Sequence, residues 1–233
     1  MNLLAFDTST EYLSLAILKN DALFSYDVLA GQSHSKIILP QVQALLNEAQ
    51  LSLSDLNGIV FGAGPGSFTG VRIAAGVAQG LGFGQNLPVI GVCTLQALAE
   101  SSGAHRVIAC LDARMGEIYH AAYVKDCVND STSWRAERLP SLFKPDDLPA
   151  VDGVDWVGAG SGWQTYTEAL NHKYSHQLIS TQPTLLPTAR AMLNIAAPKF
   201  AAGLGLPASE AMPIYIRNRV ALKSSERALG ERL

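Results

Sequence analysis

Three places in the sequence carry residue types that could do chemistry. The first is Gly62-Ala63-Gly64-Pro65-Gly66-Ser67-Phe68-Thr69-Gly70-Val71-Arg72. Glycines let backbone N–H groups approach a ligand, and a helix N-terminus just beyond them favours an anion. The run lacks the Gly-Lys-Ser/Thr ending of a nucleoside-triphosphate loop, and Ser67 stands where a dinucleotide fingerprint has its third glycine. A tight strand-to-helix turn needs the same glycines, so spacing alone leaves both readings open. The second place is Asp7-Thr8-Ser9-Thr10, echoed by Asp112-Ala113-Arg114-Met115-Gly116. A carboxylate and hydroxyls between two strands can hold a phosphate or a magnesium-bound water, but they also sit in turns for purely local hydrogen bonds. The third is His172 and His176, four residues apart. A metal would want a third ligand and groups to orient the rings, and no such residue stands nearby. No Gly-x-Ser-x-Gly elbow is present, so a serine hydrolase of that kind is unsupported.

The elements that must position these residues are legible from periodicity. Leu3–Phe6, Leu13–Leu18 and Ala22–Leu29 read as a three-strand meander. A helix is predicted over Ser35–Ala49, with Ile38, Val42, Leu45, Leu46 and Ala49 on one stripe. Gly58–Phe61 is a short buried strand. A helix capped by Ser67 or Thr69 then runs to about Phe83, followed by a strand at Pro88–Val92 and a short helix at Leu95–Glu100. Ser101-Ser102-Gly103 breaks the composition, and the pattern restarts with strands at Arg106–Leu111, Gly116–Val124 and Trp134–Leu142. Further elements are a strand at Trp156–Gly158, a helix at Thr165–His172 and a Thr188-capped helix to Ala202, kinked by Pro198. Aligning Asp7 with Asp112 gives strand, Asp, turn, strand in both halves, with Ala16 and Ala121 at the same offset. This is an α/β chain of two lobes, each a mixed sheet flanked by helices. The lobes divide into 1–102 and 103–233, with the last helix and tail expected to pack back on the first lobe.

Composition narrows the function. Of 233 residues, 48% are apolar and 16% charged, the reverse of a disordered chain, and a net charge of −3 excludes a wholly basic nucleic-acid binder. Cys93, Cys110 and Cys127 lie far apart, which suggests neither a thiolate zinc site nor a disulfide framework, as in a cytoplasmic protein. The opening Met1–Asp7 has no basic and apolar leader pattern. The uncharged stretch Ile73–Ala99 is broken by Gly84-Gln85-Asn86-Leu87-Pro88, so a buried helix, turn and strand are expected there rather than a membrane span.

One feature points to a partner. The helix after Ser67 carries Gly70, Ala74, Ala75, Gly76, Ala78, Gly80 and Gly82 with Arg72 as its only charge. Interior glycine costs about 1 kcal/mol per site against alanine, a cost that makes sense where another helix must come close. The preceding helix has Ile37, Ile38 and Leu39 in a row, an arc wider than one core face needs. Burial inside a three-layer domain is the plainer alternative.

Several motifs together resemble the bacterial TsaB (YeaZ) family of tRNA threonylcarbamoyladenosine biosynthesis proteins. They are Leu3–Thr10 with Ser14-Leu15-Ala16, His34-Ser35 leading to Leu39-Pro40, Gly64–Arg72, Pro88–Val92, Leu111-Asp112-Ala113-Arg114, Gly116-Glu117-Ile118-Tyr119 and Pro213-Ile214-Tyr215. The likeness covers nearly the whole chain and is weakest from Lys125 to Leu186. It implies an actin-like, sugar-kinase-like (ASKHA) fold. It also implies a non-catalytic subunit that supports a TsaD-type transferase, with a TsaE-type P-loop ATPase. That complex passes threonylcarbamoyl from threonylcarbamoyl-AMP to the tRNA adenosine 3′ of the anticodon.

In the transferase paralogue a His-x-x-x-His pair holds a metal after the strand matching Pro88–Val92. Here that place reads Val92-Cys93-Thr94-Leu95-Gln96-Ala97-Leu98, without an imidazole. The superfamily's phosphate hairpins carry glycine beside the Asp, and Asp7-Thr8-Ser9-Thr10 has none. The resemblance therefore implies no catalytic residue, no metal and no cofactor in the isolated protein, with ATP or ADP only in the assembled complex. Asp7, Thr8, Ser9 and Asp112 would be degenerate phosphate loops. The partner face would comprise Ile38, Val42, Leu45, Leu46, Phe68, Arg72, Ala75 and Gln79, and would self-pair as a homodimer without the partner. Transfer RNA would be met through the complex, with Arg217, Arg219, Lys223 and Arg227 either touching phosphates or forming a solvated tail. A rival reading, an autonomous nucleotide-dependent kinase or ATPase or a metallopeptidase of this fold, needs phosphate motifs, a base or ligands that these residues do not supply.

Overall fold

The computed structural model describes residues 1–128 and 131–217. The first sheet opens with the expected meander, β1 (Asn2–Asp7), β2 (Tyr12–Lys19) and β3 (Ala22–Leu29). Then come α1 (His34–Glu48), β4 (Gly58–Gly64), α2 (Phe68–Gln85) and β5 (Val89–Cys93). The strands lie in the order β3-β2-β1-β4-β5, with β1 antiparallel to β2 and parallel to β4. After α3 (Thr94–Ser101) the plan repeats with β6 (Arg106–Asp112), β7 (Ile118–Val128), β8 (Ser131–Phe143), β9 (Trp156–Ala159) and β10 (Leu178–Gln182). Read from its hairpin edge the second sheet is β8-β7-β6-β9-β10, the same order position by position.

The repeat is thus real at the level of topology, but one detail differs from the alignment of the two aspartates. Asp7 pairs with Ser14 and Asp112 with Ile118, so the second turn is one residue shorter. Ala16 therefore faces Ala5 and Ala121 faces Ala109, and the equal offset is not an equal register.

Helices fill the remaining layers. On one face of the first sheet Leu4, Phe6, Ile59 and Phe61 pack against α1 through Ile38, Val42, Leu45 and Leu46, and against α2 through Ala74, Ala75 and Ala78. On the other face Leu3, Ala5, Val60 and Ile90 meet Met192, Leu193 and Ala196 of α6 (Ala189–Ala201). Leu95, Leu98 and Ala99 of α3 cover Val107, Ala109 and Tyr123 of the second sheet. Its far face carries α4 (Gly162–Thr165) and α5 (Thr167–Tyr174) through Trp163, Leu170 and Tyr174. So α6, distant in sequence, serves the first sheet.

Glu100 on α3 ties the middle layer together. It accepts hydrogen bonds from Lys125 Nζ (2.9 Å), Trp134 Nε1 (2.8 Å) and Asn194 Nδ2 (3.1 Å). Burial raises its carboxyl, but these three donors outweigh burial and hold it below the usual range.

Local chemistry explains most boundaries. Ser67 Oγ accepts the Gly70 amide at 3.3 Å to start α2, Asn86 ends it in the left-handed conformation, and Thr188 Oγ1 accepts the Ala191 amide at 3.2 Å to start α6. Two expectations need correction. The strand read as Gly58–Phe61 runs on to Gly64, because Gly62 and Gly64 continue the ladder with β5. The single helix at Thr165–His172 is two, broken at Tyr166 (φ −119°). Helix α6 spans Ala189–Ala201, with Pro198 in its last turn. No helix among the described residues is long and apolar enough to cross a membrane.

The second core contains one ionisable group with a readable consequence. His120 is fully buried between Phe143 and Tyr174, its Nε2 lies 3.0 Å from the Tyr174 hydroxyl, and its Nδ1 has no partner among the described residues. Burial, helped by the Arg138 charge, pushes its pKa down to about 3. The folded state therefore keeps the ring neutral while the unfolded chain protonates it near 6.5, so its contribution is present above that pH and is lost as pH falls. Relative to His120→Gln, the wild type should lose about 2 kcal/mol between pH 7.5 and pH 5. Urea unfolding of both proteins at the two pH values checks this, since every other titrating group cancels in the difference.

Candidate functional site

The two hairpin turns and the start of α2 converge, and the glycine-rich run shows what it is for. The β1–β2 turn inserts into it. Ser67 donates its backbone N–H to the Ser9 carbonyl (2.8 Å), and Thr8 Oγ1 donates to the Gly70 carbonyl (2.7 Å). A Cβ at Gly70 would overlap the Thr8 carbonyl oxygen, and one at Gly66 would press on the Ser9 backbone. The glycines that would let a ligand approach instead admit the chain's own turn, and a helix-terminal amide is spent on Ser9.

Asp7 is sealed behind that turn. Its Oδ1 accepts the Ser9 amide (3.0 Å) and the Ser9 hydroxyl (2.7 Å). Its Oδ2 is buried without a hydrogen-bond partner among the described residues, tight against Gly62, where any Cβ would overlap it. Burial outweighs the two Ser9 hydrogen bonds and pushes the pKa up to about 6. Asp7 as a whole is 1% exposed.

The second hairpin is held differently. Arg114, Met115 and Gly116 all have left-handed backbone (φ 61°, 57° and 73°). Asp112 Oδ1 accepts the Arg114 amide (2.8 Å) and the Tyr166 hydroxyl (3.2 Å), and Arg114 reaches across to Glu11 on the first hairpin at 3.1 Å. That pair is exposed on both sides and contributes at most about 1 kcal/mol. The stronger grip is Arg217, whose Nη2 donates to the Ala113 carbonyl (3.0 Å), the Arg114 carbonyl (3.3 Å) and Glu117 Oε2 (2.6 Å). Arg217 is therefore a clamp on this turn and not a free charge of a basic tail. Arg219, Lys223 and Arg227 lie outside the described residues.

Arg217 ends a strap that runs from 206 to 217. Leu206 pairs with Val89, Gln79 Nε2 donates to the Ala211 carbonyl (3.1 Å), the Ile214 amide donates to Ala63 (2.7 Å), and Arg72 Nε donates to the Tyr215 hydroxyl (2.8 Å). The strap thus ties the first sheet, α2 and the second hairpin to one another.

The expected partner face needs correction residue by residue. Ile38, Val42, Leu45, Leu46 and Ala75 point inward and are buried against the first sheet, because the apolar stripe of each helix is the one that builds the core. Phe68 and Arg72 are exposed, with the guanidinium 3.7 Å from the Phe68 ring centre and Tyr215 beyond it. Gln79 is half-buried and spent on the strap. Leu39, flagged in the apolar run of α1, is 50% exposed, while the sequence reading missed Phe83, 66% exposed, and the four-residue spacing of Gly76, Gly80 and Gly84. A Cβ at any of these three glycines meets open space. The four-residue interval was the available signal, since it puts all three on one line of α2.

The other motifs stay apart. His172 lies exposed on α5, His176 lies beyond its end, and Tyr174 between them is buried. No cluster of three metal-ligating side chains occurs among the described residues. At the position of the paralogue's His pair, Cys93 lies 3.6 Å from the Tyr123 hydroxyl, and burial raises its thiol.

Comparison with known proteins gives this arrangement relatives. Residues 28–218 match the family described as "TsaD: tRNA N6-adenosine threonylcarbamoyltransferase". The chain is 40% identical over 231 residues to the tRNA threonylcarbamoyladenosine biosynthesis protein TsaB of Escherichia coli (strain K12), covering 96% of this chain and 97% of that one. It is 34% identical to the TsaB protein of Haemophilus influenzae, covering 96% of each. Among solved structures it is similar to YeaZ from Pseudomonas aeruginosa, with TM-score 0.80 and 37% identity over 92% of this chain and 99% of that one.

The sealed carboxylate makes a signed prediction. Its folded-state pKa is raised, so ionised Asp7 costs stability above about pH 6 and costs nothing below its unfolded value near 3.8. Asp7→Asn keeps an acceptor for Ser9 and removes the charge. The variant should be more stable at pH 7.5, by up to about 3 kcal/mol, and the gain should vanish near pH 4. Chemical denaturation of the two proteins across that range measures it.

Proposed function

Because the chain belongs to the TsaB (YeaZ) family of tRNA threonylcarbamoyladenosine biosynthesis proteins, we propose that it takes part in t6A formation as a non-catalytic subunit. In this reading it docks a TsaD-type transferase and, with a TsaE-type ATPase, supports transfer of threonylcarbamoyl to the adenosine 3′ of the anticodon. The reading places the work in the cytoplasm, with tRNA met through the complex and nucleotide, if used, held by the assembly.

The outward face of α2 carries the docking part of the proposal. Gly76, Gly80 and Gly84 line it with no described residue above them, and Phe83 and Phe68 stand exposed at either end. Exposed helix-interior glycine weakens an isolated helix by about 1 kcal/mol per site, a cost with no return inside this chain. A second helix laid along the groove would recover it by close backbone approach. The same face offers a route to self-pairing when the partner is absent. The non-catalytic part rests on Asp7, Thr8 and Ser9, which are consumed by internal hydrogen bonds.

The glycine ridge separates stability from association. Gly76→Ala should stabilise the isolated chain by roughly 1 kcal/mol, a rise of about 2–4 °C in Tm, because the methyl enters open space on a helix. The same change should weaken binding to the transferase, and Gly80→Leu should abolish it while the protein stays folded. Thermal melts paired with titration calorimetry against the TsaD-type partner measure both. Unchanged affinity in folded Gly80→Leu protein removes α2 from the interface.

A further inference from the structure

Each sheet ends in two outer strands, and three of the four outer edges are blunted. The edge of β5 is bridged by the strap, since Val89 and Leu206 exchange both backbone hydrogen bonds (2.8 and 2.9 Å). Strand β8 carries Pro140 and two register shifts against β7. Strand β10 has five residues, shifts register between Leu178 and Ser180, and is followed by Pro183. Strand β3 uses none of these devices. Its eight residues pair with β2 without a break, they include no lysine or proline, and Asp27 is their one charge. No strand lies against its outer edge among the described residues. A regular edge of this length presents a row of N–H and C=O groups to any strand that can reach it.

The side chains of this edge are also self-complementary. Phe24, Tyr26 and Val28 lie half-buried on the α1 side, while Leu23, Ser25, Asp27 and Leu29 are exposed on the other, Leu29 at 61%. In an antiparallel pair, opposed residues either exchange their backbone hydrogen bonds or both point away. Two copies of β3 about a two-fold axis must therefore centre on a residue opposed to itself. Centred on Ser25, the pairing sets Leu23 against Asp27. Centred on Asp27, it sets two carboxylates together. Centred on Tyr26, it opposes Leu23 to Leu29, Phe24 to Val28 and Ser25 to Asp27, so apolar side chains meet and a hydroxyl can donate to a carboxylate twice over.

We propose that β3 is a pairing edge for a second copy of this chain, joined antiparallel about Tyr26 into one continuous sheet of ten strands. Helix α1 sits over β2 and β3, and α2 over β1 and β4. The pairing thus leaves the outward face of α2 open on both copies and stands whether or not that face docks a transferase. A single strand pair is small beside a standard interface of about 1,600 Å², so the dimer is weak and forms at high protein concentration.

Sedimentation velocity of the full chain over a concentration series reads the dimer constant. Gly80→Leu protein serves as the background, which removes any pairing through α2. Ser25 is exposed, and thermal melts check that changes there leave the fold intact. Ser25→Lys faces Asp27 of the other copy and should tighten the dimer, whereas Ser25→Asp sets carboxylates in opposition and should weaken it. Each change acts twice across the axis, so the constants should move in opposite directions by roughly 2- to 30-fold. Equal constants in all three folded proteins, shifts of the same sign in both Ser25 variants, or a chain that stays monomeric throughout would overturn the proposal. Capture of a strand from a different protein on this edge, by a chain that does not self-associate, overturns it as well.

Discussion

The insertion of Thr8 and Ser9 into the start of α2 is the constraint on which the rest depends. One peptide carbonyl and one hydroxyl replace what an open phosphate loop would offer to solvent. That choice fixes Gly66 and Gly70 as glycines, seals Asp7 against Gly62, and anchors the first turn of α2. It also converts a region whose residue types suggest anion chemistry into structure. The cost is a buried carboxylate with one oxygen that has no partner among the described residues, tolerated because the two Ser9 donors hold the other.

With that turn filled, the two lobes behave as one packed unit. Helices α6 and α3 form a shared middle layer, with Glu100 bonded to α6, β7 and β8 at once. The strap adds a second tie along the front, from Val89 to the clamp that Arg217 places on residues 113–117. Here the hairpins are joined by the chain itself, through Arg114 to Glu11 and Arg217 to residues 113–117.

Much of this was legible in the sequence, and the failures are specific. The meander, the Ser67 and Thr188 caps and the two-lobe repeat follow from period-two and 3.6-residue patterning with the usual capping residues, and these signals are local. Strand β10 was missed because Leu178–Gln182 is an exposed edge with no apolar alternation. Five of the eight residues expected to face a partner, Ile38, Val42, Leu45, Leu46 and Ala75, are buried against the first sheet instead. Ile38, Val42, Leu45 and Leu46 are the more hydrophobic stripe, and hydrophobicity reports the core. The outward stripe announces itself by small size, and Gly76, Gly80 and Gly84 carry no hydrophobic signal. Arg217 looked like part of a basic tail because its partners, Ala113 and Glu117, are about a hundred residues away and no periodicity connects them.

The central claim is that this chain supports t6A formation by binding and takes no part in the chemistry. Rates of t6A formation by the reconstituted complex, with tRNA, threonylcarbamoyl-AMP and either wild-type or Asp7→Asn protein, test it most directly. The account predicts equal rates, because Asp7 is a buried structural group. A large loss of rate with the complex intact would contradict it and return the first hairpin to the reaction.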